Sequence, residues 1–166
     1  MSKMFEFTAE LDKNDIKLLN LELTRIGGRA GDLRPVFEHL RPEYVQEVEK
    51  RFKSQGSYSG KGWPRLKLST LKDRKRKGYP PGPILVRSGA LRDSLVSNTM
   101  NTINTVRRKY WEYGSRIPYA IYHQSTRPRR KLPRRAFLFI SNKFRLRTIR
   151  AFHSYVVTGK VSTGEI

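Results

Sequence analysis

Phe5, Phe7, Ala9 and Leu11 alternate with Glu6, Thr8 and Glu10, the period-two pattern of a half-buried strand. The period then changes. Ile16, Leu19, Leu23 and Ile26 recur at helical spacing, which predicts a helix of three or four turns capped by Asn14 and stopped by Gly27-Gly28. A second helix is predicted over about 32–54, with Val36, Phe37, Leu40, Tyr44, Val45, Val48 and Phe52 as its apolar stripe. Glu38, Glu43, Glu47 and Glu49 make up its polar face. Pro42 removes a backbone donor and crowds the preceding turn, so a kink or a break into two helices is expected near Arg41.

Residues 55–88 hold five glycines and four prolines without long apolar periodicity, and read as an extended loop. Within it, Ser69 is placed to cap one or two helical turns over Leu71 to Lys77. Loops of this length in compact domains are usually functional or disordered, so a partner is to be sought here. Ser88 is placed to cap a short turn, "SGALRDSL". The stretches "SLVSNTM", "NTINTV" and "RRKYWEYGS" are rich in Thr, Val, Ile, Tyr and Trp, and predict two or three antiparallel strands joined at Asn98 to Asn104. That sheet is the expected platform. "YAIYHQ" reads as a helical turn, residues 125–135 as a basic arm, and "AFLFI" as a buried strand. Phe144, Ile149, Phe152 and Val156 then mark a C-terminal helix over 142–158, with Arg145, Arg147 and Arg150 on its wet side. No internal repeat is visible.

The pattern is thus α+β: an antiparallel sheet with packed helices and long basic loops or arms, in a single domain over 1–166. The absence of cysteine excludes disulfides and thiolate metal sites. No apolar run approaches the roughly 20 residues of a membrane span, and the N-terminus lacks the apolar stretch of a signal peptide, so a soluble protein made in the cytoplasm is expected. Charge changes the picture most. Residues 1–50 hold 8 basic and 10 acidic side chains, a balance of −2, whereas residues 51–166 hold 27 and 4, a balance of +23. This imbalance implies a polyanionic neighbour or an acidic protein partner.

Catalytic chemistry finds little material. His39, His123 and His153 lie in different elements, without the spacing of a metal site. No phosphate-cradling glycine run follows a strand, and Asp73 and Asp93 are the only acids between Glu49 and Glu112. Paired-carboxylate and two-metal mechanisms therefore lack their residues, and the expectation is no enzyme, no metal and no cofactor. A lone histidine such as His123, beside Tyr122 and Gln124, is more often structural than catalytic.

The basic clusters are Lys72, Arg74, Lys75, Arg76 and Lys77 in the loop, and Arg127, Arg129, Arg130, Lys131, Arg134 and Arg135 in the arm. Such runs bind phosphate nonspecifically, and they equally suit contact with another subunit. No helix-turn-helix, zinc-finger or RNA-recognition signature accompanies them, so sequence-specific readout is not expected. Pro128 and Pro133 favour an extended arm. Trp111 sits in a strand-like run as a core residue. Trp63, between Gly62 and Pro64, reads as a plug that pins the basic loop, with a partner anchor as the alternative.

The order of these motifs resembles the phage virion morphogenesis, or tail completion, proteins of Mu-like and related tailed phages. The resemblance runs from Phe52 and Gly56 through "GKGWPRL", with Gly62, Trp63 and Pro64, to "STLK" and "ILVRSGALRDS", with Leu85, Gly89 and Leu91. It continues through "YAIYHQ", with Tyr119, Ala120, His123 and Gln124, to "LPRRAFL", with Arg135, Phe137 and Leu138. Two departures flank the arm: Ser125-Thr126-Arg127 stands where the family tends to place a glycine, and Ala136 where it favours proline.

The resemblance implies a structural virion protein of the tail or neck, assembled in the host cytoplasm as a ring, hexameric in the family. Its place would be the head-tail junction or tail top, joining head to tail while DNA passes through the lumen. Its partners would be itself, the head-tail connector, tail tube or terminator proteins, and phage DNA, with no membrane. Six copies at +21 each would carry roughly +126, which calls for a polyanion nearby. The competing reading is a nonspecific nucleic-acid-binding module.

Overall fold

The computed structural model describes residues 12–58, 60–127 and 132–164. The strand expected at residues 5–11 lies outside them, as do Pro128, Arg129, Arg130 and Lys131 of the basic arm. The first helix, α1 (Lys13–Gly31), is capped not by Asn14 but by Asp12, whose carboxylate accepts from the backbone N–H groups of Asn14 and Asp15 at 2.7 Å each. Asp15 returns the favour to the Asp12 N–H at 3.2 Å, closing a capping box. Gly27 and Gly28 do not stop this helix. Each costs it about 1 kcal/mol relative to alanine, but neither takes a left-handed conformation, and the chain continues helically to Gly31.

The centre of the fold is α2 (Arg34–Lys53), begun by Pro35 in its first turn, where a missing N–H costs nothing. Its stripe Val36, Leu40, Tyr44, Val48 and Phe52 is buried. The break expected at Pro42 is absent. The acceptor that Pro42 leaves unserved is the carbonyl of exposed Glu38, where water can take over, and the helix continues unbroken. Glu47 is also not on the wet face. It is 8% exposed and pairs at 2.8 Å with Arg51, which is fully buried.

Against one side of α2 lies α6 (Asn142–Thr158), antiparallel to it. Phe37 meets Phe152 edge-on at 5.5 Å, Arg147 donates to Glu43 at 3.0 Å, and Ser141, the α6 N-cap, donates to both oxygens of Glu47. Against the other side lie α4 (Ala90–Val96) and an antiparallel hairpin of β1 (Thr102–Val106) and β2 (Trp111–Ser115). The register pairs Thr102 with Ser115 and Val106 with Trp111. Tyr44 joins the two sides, with Trp111, Tyr113 and Phe144 ring centroids at 5.7, 5.3 and 5.0 Å.

The fold is therefore α+β with helices dominant. The two-stranded sheet is a flank of α2 rather than a platform. "SLV" belongs to α4, because Leu91, Ser94 and Leu95 recur at helical spacing and are all buried together. Trp111 is half-buried, at the edge of the core.

Candidate functional site

The loop after α2 begins with a tight reversal that only glycine accommodates well. Gly56 has φ +89°, and a Cβ there would sit 2.5 Å from Trp63 Cδ1. The indole lies edge-on against Phe52 at 5.5 Å and donates through Nε1 to the Ala136 carbonyl at 2.9 Å. Its backbone N–H reaches the Gln55 carbonyl at 2.8 Å. Trp63 is thus an internal plug, 7% exposed, and its ring is occupied within the chain.

Beneath it runs "AFLFI", which is not a strand and is buried at Phe137 but exposed at Ile140. Among the described residues no strand pairs with it; the side chain of Gln124, at the end of α5 (Ala120–Gln124), takes that part. Gln124 Oε1 accepts from the N–H groups of Phe137 and Leu138 at 3.1 and 3.2 Å, and Nε2 donates to the Leu138 carbonyl. These bonds satisfy a buried backbone that a ladder would otherwise have to serve. Arg135 completes the knot. Its N–H donates to the His123 carbonyl at 3.0 Å, and its guanidinium donates to the Pro64 carbonyl from Nε and Nη2 at 3.1 and 3.0 Å.

The rest of the loop is also tied down. Its helix, α3 (Leu68–Arg76), starts two positions after Leu66, with Lys67 rather than Ser69 at the N-cap and no side-chain cap bond. Arg74 is 4% exposed and donates through Nη1 to the carbonyls of Gly82 and Pro83 at 2.8 and 3.3 Å, folding the proline-rich return limb back onto α3. Ser88 does not cap α4 either. Gly89, at φ +84°, occupies that position, and its carbonyl receives the Asp93 N–H at 2.9 Å. Leu85 also has a left-handed backbone, at φ +62°.

Between the loop and α5 lies a cleft of about 950 Å³. Leu66, Leu85, Tyr119 and Leu132 give it an apolar wall, and Arg65, Lys67, Arg74, Arg87 and Arg135 line it with positive charge. Among the described residues, Asp73 is the one acid in its lining. Hydrogen bonds from Lys77 and then Arg76 hold the Asp73 carboxyl below its ordinary range, so it is already engaged. Burial lowers the affinity of Arg74 and Arg135 for their protons, and each feels a neighbouring guanidinium, Arg87 and Arg74 respectively. Burial, followed by the charge of Arg135, pushes the His123 imidazole below its ordinary range.

The residues of the sequence motifs fall into two groups. Trp63, Arg74 and Arg135 are buried structural members, as are Leu91, Ala120 and Phe137. Lys72, Lys75, Arg76 and Lys77 stand exposed on and just after α3, Arg76 and Lys77 pairing with Asp73 at 2.9 and 3.1 Å. Arg127 and Arg134 are exposed, and Arg134 donates to the Gln124 carbonyl at 3.2 Å. Arg65, Lys67 and Arg87 are each isolated in sequence from the two basic runs, and no local signal marks them as site residues; the chain return through Arg74 brings them together. Among the described residues, no three His, Asp or Glu side chains gather as a metal site would need, and no helix is long and apolar enough to cross a membrane.

The motif residues that meet around Trp63 come from "FKSQG" and "GWP" on one side and "YHQ" and "RAFL" on the other, joined by bonds that span 71 and 73 residues. The model of the phage virion morphogenesis family matches residues 14–156, which include every one of these segments. The chain belongs to the phage virion morphogenesis family. Membership gives it a structural or assembly role in a phage virion. No match was found among curated proteins or among solved structures. In this family member the plug, the glutamine clamp and the two buried arginines build the scaffold, while exposed cations stand on α3, on the cleft rim, at Arg107 to Lys109 and at Arg127 and Arg134.

Proposed function

We propose that the protein is a noncatalytic tail completion protein that assembles as a ring at the head-tail junction or tail top, joining head to tail around a lumen through which DNA passes. The family match over residues 14–156 carries this reading. Two surface features support it. Helix α1 buries none of its residues, and Ile16, Leu18, Leu19, Leu21 and Leu23 are each 46–62% exposed, an apolar surface of the kind that subunit contacts cover. It is held to the body through Arg29 Nη1, which donates to the Val157 carbonyl at 2.7 Å, so it is presented as an arm. The net charge of +21 supports a polyanionic or acidic neighbour.

Mass spectrometry of purified virions tests the proposal: the protein is expected at a fixed, low copy number per particle, with tailless heads accumulating when its gene is deleted. Normal particles that lack the protein would overturn it. The exposed α3 cluster favours a second reading, nonspecific DNA binding as the primary role. That reading requires full assembly but lost function when Lys75, Arg76, Arg129 and Arg130 are reversed in charge.

A further inference from the structure

The cleft between α3 and α5 is electrostatically unfinished. Arg74 and Arg135 are 4% and 5% exposed, yet their guanidiniums bond only to backbone carbonyls, and neither has a carboxylate within 4 Å among the described residues. Buried guanidiniums ordinarily have a carboxylate or phosphate partner, because carbonyl dipoles only partly replace the lost hydration. Among the described residues, Arg74 Nε and His123 Nδ1 are buried without a hydrogen-bond partner. Three more cations, Arg65, Lys67 and Arg87, stand exposed on the rim, and Asp73, the one lining acid, is taken up by Arg76, Lys77 and Arg87.

We infer that this cleft is a docking site for an acidic peptide segment of a partner protein, one that places carboxylates against Arg65, Lys67 and Arg87 and an apolar side chain against Leu66, Leu85, Tyr119 and Leu132. The shape and lining select this occupant over nucleic acid. A duplex presents its phosphates on a convex, rigid surface, which a concave site cannot follow. A peptide enters such a cleft, buries an apolar anchor, and finds two kinds of complementarity at once. Nothing in a phosphate backbone uses the leucine wall. The identity of the partner as a virion component rests on the assembly role proposed above; the chemistry of the cleft does not, so binding is measured on the isolated full chain and its failure leaves the particle data untouched.

The probe is a short fluorescein-labelled peptide of alternating Glu and Leu, titrated by anisotropy. Binding is expected to weaken roughly tenfold in the variant Arg65→Ser with Arg87→Ser, which loses two charge-assisted contacts from exposed positions. The charge-matched control, Lys75→Ser with Arg76→Ser, removes two cations of α3 that do not line the cleft, and is expected to change affinity less than about twofold. A Glu-Ser peptide of equal charge is expected to bind at least fivefold more weakly, for want of the anchor. In NMR titration the bound peptide is expected to raise the pKa of His123, which faces Arg135 in a cleft lined by Arg65, Lys67, Asp73, Arg74 and Arg87. Equal loss in the two double variants, equal binding of the two peptides, or displacement of the peptide by a DNA duplex at matched charge would each overturn the inference.

Discussion

Replacing Glu47 by Gln removes the carboxylate that meets Arg51 at 2.8 Å inside the core. Arg51 is fully buried; its other partners are the Phe137 carbonyl at a long 3.4 Å and the ring faces of Phe139 at 3.9 Å and Tyr44 at 5.6 Å, while among the described residues its Nε has none. Glu47 also accepts from Ser141, whose hydroxyl caps α6 by accepting the Phe144 N–H at 3.1 Å. The substitution therefore strands a buried cation and loosens the start of α6. Breaking a buried pair from one side costs about 3–5 kcal/mol, and Gln still offers a carbonyl, so about 3 kcal/mol is expected. That corresponds to a fall in Tm of roughly 6–12 °C for a chain of this size. Urea unfolding followed by tryptophan fluorescence and circular dichroism measures it. Changing both partners, Glu47→Leu with Arg51→Met, removes the stranded charge and is expected to return stability to within about 1 kcal/mol of the native chain. A Glu47→Gln variant within about 0.5 kcal/mol of native, or a double variant whose loss equals the sum of the singles, would refute the reasoning.

Gly56→Ala combines a left-handed backbone with a Cβ placed 2.5 Å from the Trp63 ring, so it is expected to cost more than about 2 kcal/mol and to blue- or red-shift the indole emission as the plug moves. Gln124→Ala leaves the Phe137 and Leu138 N–H groups without their acceptor; about 2–3 kcal/mol should be lost, and hydrogen exchange at these two amides should accelerate selectively. His123 has a folded pKa below its unfolded value, so the unfolded chain takes up a proton first as pH falls through the ordinary histidine range, and stability drops from pH 7 toward pH 5. His123→Gln should flatten that part of the stability profile, measured by denaturation at each pH. Binding of the isolated protein to a DNA duplex should fall steeply with salt, and charge reversal of Lys75 and Arg76 should reduce the salt slope by roughly 2.

The helical frame was legible in the sequence where apolar positions kept one phase. Val36, Leu40, Tyr44, Val48 and Phe52 mark α2, and Phe144 and Phe152 mark α6 over the range expected. The same rule misplaced Glu47, because it was read by residue type; by phase it lies between Tyr44 and Arg51 on the buried stripe. The composition of "SLV" suggests a strand, although Leu91 and Leu95 are one helical turn apart. "AFLFI" could not be assigned from composition alone. Only Phe137 of it is buried and Ile140 is exposed, and what takes the place of a neighbouring strand here is a side chain, Gln124, from 13 and 14 residues away. At the site, the tryptophan plug was readable from its glycine and proline neighbours, whereas the cleft was not: it exists only because Arg74 and Arg135 fasten carbonyls of distant segments and bring scattered cations to one wall.

The architecture links these observations to assembly. A small core built on α2 holds Trp63, Leu91, Ala120 and Phe137 of the motifs, and α1, the α3 cluster and the cleft rim lie on the surface. A cryo-electron reconstruction of the head-tail junction in intact virions tests this account most directly. It predicts a closed ring of copies of this chain around the DNA channel, with α1 covered by a neighbouring copy. Complete particles whose junction contains no density for this chain would contradict it.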